Sequence, residues 1–125
     1  MAILIQGGFE TRVFYTTTGG FDLHGDAGGA TGSQANLMQN IDDAIAAFRT
    51  DMVAMGQWDN VVIALITEFG RRNYQNGSFG TDHGKAGPMF VAGSGVQGGL
   101  YGRHPSLEAL DEGDLVHTTD FRAVY

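Results

Sequence analysis

The sequence predicts an α/β domain built on a partial parallel sheet with a βαβ crossover, and three stretches predict it. Val61-Val62-Ile63-Ala64-Leu65-Ile66 is continuously apolar, the pattern of a strand covered on both faces, as in a parallel sheet between helices. Leu37, Ile41, Ile45, Phe48, Met52 and Met55 recur at intervals of three and four, drawing one apolar stripe along a helix. Val13-Phe14-Tyr15-Thr16-Thr17 is β-branched and aromatic and halts at Gly19-Gly20, which reads as a first strand. Strand, helix and strand in that order make a crossover, and such crossovers are right-handed.

The helix has its own punctuation. Ser33 is placed to cap its start and Gly56 lies past its end. Met89-Phe90-Val91-Ala92 predicts a further short strand. Thr118-Thr119-Asp120 predicts a helix start, with Thr119 or Asp120 as the cap, but Phe121 to Tyr125 leaves only one or two turns, too few to stand alone. One crossover helix cannot cover both faces and all edges of such a sheet, so a homo-oligomer is expected.

A chain of 125 residues suits a single domain, 1–125, which should bury roughly two-thirds of its unfolded surface. Its formal net charge of -7 speaks against nucleic-acid and anionic-membrane partners, which are held by clustered Lys and Arg. With no cysteine, a metal site must use His, Asp, Glu or backbone oxygen. Met1 to Ile5 is too short an apolar run for a signal peptide and lacks a basic start, and the compartment stays open. There are 20 glycines against two prolines, and they cluster between the apolar runs. That placement marks loops in which the backbone turns tightly or approaches another segment closely.

Two of these loops carry chemistry. In open α/β sheets, ligands sit beyond the carboxyl ends of the strands. "GGFDLHGD" follows the first expected strand and "TEFGRR" the second, so both open on one side. Asp22 and His24 sit two apart, sharing a face of an extended loop, and can grip a divalent ion with oxygen and nitrogen. Glu68 is placed to ligate or to act as a base, and Asp82 and His83 return on the long loop. Such a donor set suits zinc first, with manganese or iron as alternatives. A bound divalent ion lowers the pKa of a water and polarises a phosphoryl or sulfuryl oxygen. Blander readings stand beside this one: Asp82-His83-Gly84 as an Asx turn, Glu68 paired with Arg71 or Arg72 at the surface, His104 and His117 as structural or exposed.

The motifs "RVFYTTTGGFDLHGD", "VVIALITEFGRR", "NGSFGTDHGKAGPMFVAGSGVQGGLYG" and "TTDFRAVY", in that order, resemble the C-terminal part of an uncharacterised bacterial family, usually exported by the twin-arginine route, in the alkaline phosphatase and sulfatase superfamily. The resemblance runs from Arg12 onward and implies a fragment of a larger alkaline phosphatase-like domain. It implies Asp22, His24 and His83 as ligands of one metal and Glu68 as a strand-end carboxylate serving the second. The Asp-His pair of that superfamily appears here as Glu68-Phe69, with Asp82-His83 as an alternative match, and its nucleophile lies upstream of every residue present.

These readings converge on a metal-dependent hydrolase of small phosphate or sulfate esters, or a promiscuous esterase. Asp22, His24, Asp82 and His83 hold the metal, Glu68 serves as ligand or base, and Arg71 clamps an oxyanion. Two alternatives remain open: a non-catalytic module that oligomerises or binds, and a truncated fragment with a different acid/base activity.

Overall fold

A computed structural model describes residues 1–124 of the chain. The elements are α1 (Ala2–Gln6), α2 (Ser33–Ala54), β1 (Val62–Leu65), β2 (Gly70–Arg71), β3 (His83–Gly84), β4 (Phe90–Gly93), β5 (Leu110–Asp111) and β6 (Asp114–Leu115). Short 3-10 turns sit at Gly29–Thr31, Trp58–Asn60 and Phe121–Ala123. The protein is mixed α/β, with three small two-stranded antiparallel sheets among the described residues.

The helix forms where the three-four period places it. Gly32 takes the cap position in an extended conformation, so Ser33 is the first helical residue rather than the cap. At the other end Gly56 turns left-handed at φ +65°. Its N–H reaches the Val53 carbonyl at 3.0 Å, while the Gln57 N–H reaches Met52 at 2.8 Å. These paired bonds close the helix as a Schellman motif, satisfying carbonyls that would otherwise end unpaired. Met52, on the apolar stripe, is fully buried.

The expected parallel crossover is not what the chain builds. β1 pairs with β4 in antiparallel register, Val62 opposite Gly93 and Leu65 opposite Phe90. The stretch read as the first strand, residues 13–17, joins no sheet and makes no backbone hydrogen bond among the described residues. β-branched composition favours extended backbone, but a strand exists only with a partner to take its N–H and C=O groups. No alkaline phosphatase-like sheet is present among the described residues either: the sheets are separate pairs rather than one layer.

Burial along β1 alternates, with Ile63 and Leu65 half-covered and Val62 and Ala64 exposed, so one face is shielded rather than two. A cleft of about 420 Å³ is lined by Ile41, Ala44, Ile45 and Phe48 of α2 and by residues 63–65 of β1. The short strand expected at residues 89–92 forms as β4, one residue later. The helix expected after Thr118-Thr119-Asp120 is a single 3-10 turn, with Asp120 accepting from the Arg122 N–H as the cap; Tyr125 lies outside the described residues. β5 and β6 form a hairpin whose two turn residues, Glu112 and Gly113, both have positive φ, as a twist-matched two-residue turn requires. No helix among the described residues is long and apolar enough to cross a membrane.

Candidate metal centre

The small β2–β3 sheet positions the site. Its register sets Arg71 opposite His83, so a guanidinium and an imidazole leave neighbouring backbones. The segment between the strands folds back on itself around Asn76. The Asn76 side-chain oxygen accepts from the Ser78 and Gly80 N–H groups at 2.9 and 3.1 Å. Its amide nitrogen donates to the His24 carbonyl at 2.9 Å and to Asp82 Oδ1 at 3.0 Å. One side chain thus closes its own loop and pins it to the loop that carries Asp22 and His24. The crossing is tight enough to require glycine: a Cβ on buried Gly80 would sit 2.4 Å from the His24 carbonyl carbon.

Three ligand-type side chains meet at this crossing. Asp22, His24 and His83 each offer one ligand atom, and those atoms lie within 4.8 Å of one another. Asp22 Oδ1 is the focus, 2.7 Å from His83 Nε2 and 3.0 Å from His24 Nε2. Two zinc ligands on adjacent corners of a tetrahedron lie about 3.4 Å apart, so to admit an ion the Asp22–His83 pair would open by about 0.7 Å and the Asp22–His24 pair by about 0.4 Å. All three residues are exposed, which leaves room for a water or substrate beside them. The triad can hold a metal.

The supporting groups are equally specific. Asp82 Oδ1 stands 3.3 Å from His24 Nδ1, on the far side of the ring from Asp22. Arg71 donates from Nη2 to Asp22 Oδ1 and to the Phe21 carbonyl, both at 2.8 Å, and from Nη1 to the Thr81 carbonyl at 2.6 Å. Phe69 stacks on His83, with centroids 3.8 Å apart and planes 9° from parallel, while the Arg71 guanidinium lies over the Phe69 ring at 4.8 Å. The carboxyls respond to these partners. The His83 hydrogen bond, with Arg71 adding to it, holds Asp22 below its ordinary 3.8. Asn76, then His24, holds Asp82 below the same value.

Of the residues named from the sequence, Asp22, His24 and His83 form the cluster, and Asp82 stands behind His24 rather than beside the other two. Arg71 belongs to the site, but its Nη donors are engaged with protein oxygens. Glu68 is exposed and makes no hydrogen bond or ion pair among the described residues. Sequence reasoning passed over Asn76 and Phe69. The Asn76-Gly77 dipeptide is a turn signal and pointed to the loop; nothing local marked Phe69 as the ring under His83.

A family model described as "Protein of unknown function (DUF1501)" matches residues 6–124. The chain belongs to the DUF1501 family. No curated protein and no solved structure gives a significant match. The resemblance to the alkaline phosphatase and sulfatase superfamily is thereby corrected: the matching family is DUF1501, and no link to that superfamily is shown.

Proposed function

For this member of the DUF1501 family, we propose a metal-dependent ester hydrolase whose divalent ion, zinc first, is held by Asp22, His24 and His83. The observation that carries the reading is the environment of His24. A carboxylate oxygen faces each of its ring nitrogens, Asp82 at Nδ1 and Asp22 at Nε2. A proton on Nδ1, held by Asp82, leaves the Nε2 lone pair aimed at an oxygen lone pair. The gap between nitrogen and oxygen then takes either a second ring proton or a cation. Carboxylate, imidazole and metal in line is the usual way a ligating histidine is oriented.

Two imidazoles and one carboxylate with an open side is a donor set found at catalytic zinc and at non-haem iron. The metal would supply Lewis acidity and an activated water. Arg71 fixes the Asp22 carboxylate, and Phe69 fixes the plane of His83. Glu68, unpaired and one residue before Phe69, is the carboxylate left for proton transfer. Arg71 is paired with Asp22 and Arg72 with Asp114, so the attraction for a small anionic ester would come from the metal's own charge. The test is a panel of phosphate and sulfate monoesters with zinc-loaded protein. Turnover that a chelator removes and added zinc restores supports the reading; turnover indifferent to the chelator sinks it.

A second reading has its own support. Val62, Ile66 and Val91 are exposed apolar residues on or beside the β1–β4 sheet, as expected of a module that self-associates. Light scattering at micromolar concentration separates an oligomer from a monomer.

A further inference from the structure

Arg103, His104, Ser106, Ala109, Val116, His117 and Thr118, all exposed, line a cavity of about 380 Å³ that is open to solvent and shares no residue with the Asp22 cluster. Its composition runs against that of the protein. The chain carries a formal net charge of -7, yet this cavity is lined by one arginine, two histidines and two hydroxyls; the Asp120 carboxylate is outside the lining but close enough to feel His117. The Arg103 side chain makes no hydrogen bond or ion pair among the described residues. Its backbone, in contrast, is held: the Thr118 hydroxyl donates to the Arg103 carbonyl, tying the two walls together.

The neighbouring groups are similarly prepared. His104 Nδ1 lies 2.7 Å from the Pro105 carbonyl, and a carbonyl only accepts, so that nitrogen carries the proton; Nε2 donates to an oxyanion only when the ring takes up a second proton. Ser106 Oγ accepts from the Glu108 and Ala109 N–H groups at 3.2 and 2.9 Å, leaving its hydroxyl proton to donate. A guanidinium without a partner offers a planar fork of N–H donors that matches the oxygen spacing of a tetrahedral oxyanion. Cavities of this size are within the range that takes small ligands.

We propose that this cavity binds a small tetrahedral oxyanion, a phosphate or sulfate group, with Arg103 as the principal contact and His104, His117 and Ser106 around it. Binding requires no metal and is separate from the Asp22, His24 and His83 centre.

The test is calorimetric titration of inorganic phosphate into the full chain, stripped of metal with a chelator and kept in chloride buffer. The wild type is expected to bind one phosphate saturably, and sulfate to compete with it, because the site reads charge and shape. Arg103→Gln should weaken phosphate at least tenfold, and His117→Gln should weaken it less. A His24→Ala, His83→Ala variant should bind as the wild type does. Circular dichroism confirms that each variant is folded. Absence of phosphate binding by the wild type, or an unchanged affinity in folded Arg103→Gln, overturns the proposal. So does loss of binding in the His24, His83 variant, and none of these results bears on whether the other centre holds zinc.

Discussion

Asp82 stands behind His24, its Oδ1 3.3 Å from the ring Nδ1, while the other ring nitrogen faces Asp22 Oδ1 at 3.0 Å. The two carboxylates therefore differ in role although the sequence offers them as equals. Asp22 sits among the ligand atoms; Asp82 faces the opposite ring nitrogen of one of them. Asp82→Ala is expected to leave a metal site of three ligands but to weaken it about 10–100-fold. Zinc titration against a competing chromophoric chelator reads that change. An affinity equal to wild type would remove Asp82 from the site.

Glu68 separates base from ligand. It is exposed and unpaired, outside the group of ligand atoms. Glu68→Gln is expected to keep full zinc content while turnover of a responsive ester falls about 10²-fold or more, the scale of a lost general base. Zinc lost along with turnover would make Glu68 a ligand instead.

The lowered Asp22 and Asp82 carboxyls give the metal-free protein an acid limb. A group whose folded pKa lies below its unfolded value favours folding once it is ionised in both states. That contribution is complete above the ordinary value of 3.8 and is lost as pH falls through the lowered folded value. Urea midpoints measured between pH 2 and 6, roughly spanning that window, should therefore drop more steeply on the acid side for wild type than for Asp22→Asn. Parallel curves would mean that the His83 and Arg71 contacts do not persist in solution.

Part of this arrangement was legible in the chain. The α2 period placed a helix, and its end fell at Gly56 because a left-handed residue is needed there. Asp22, His24 and His83 were legible because side chains of this kind between apolar runs have little structural use. Residues 13–17 misled: β-branched side chains record a preference for extended backbone and carry no information about a partner strand. The continuous apolar run at residues 61–66 misled in the same way, since only Ile63 and Leu65 of β1 are half-covered. The roles of Asn76 and Phe69 were not legible, because Asn76 reaches a loop about fifty residues away and Phe69 stacks on His83 of another segment, contacts that appear only once the chain is folded.

Met52 tests where stability resides. It is fully buried, the one apolar side chain at 0% exposure among the described residues. Met52→Ala is expected to destabilise the fold by about 2–5 kcal/mol, a lost transfer contribution plus a cavity. Chemical denaturation monitored by circular dichroism measures it. A change below about 0.5 kcal/mol, typical of a surface site, would mean that α2 is held by other contacts.

The central claim is that Asp22, His24 and His83 hold a metal, and elemental analysis of the purified, tag-free protein tests it most directly. Near-stoichiometric zinc, manganese or iron in the wild type, absent from a folded His24→Ala, His83→Ala variant, is the expected result. A folded wild type that carries no metal and takes up none on titration with zinc would contradict it, leaving the three side chains joined to each other only by hydrogen bonds.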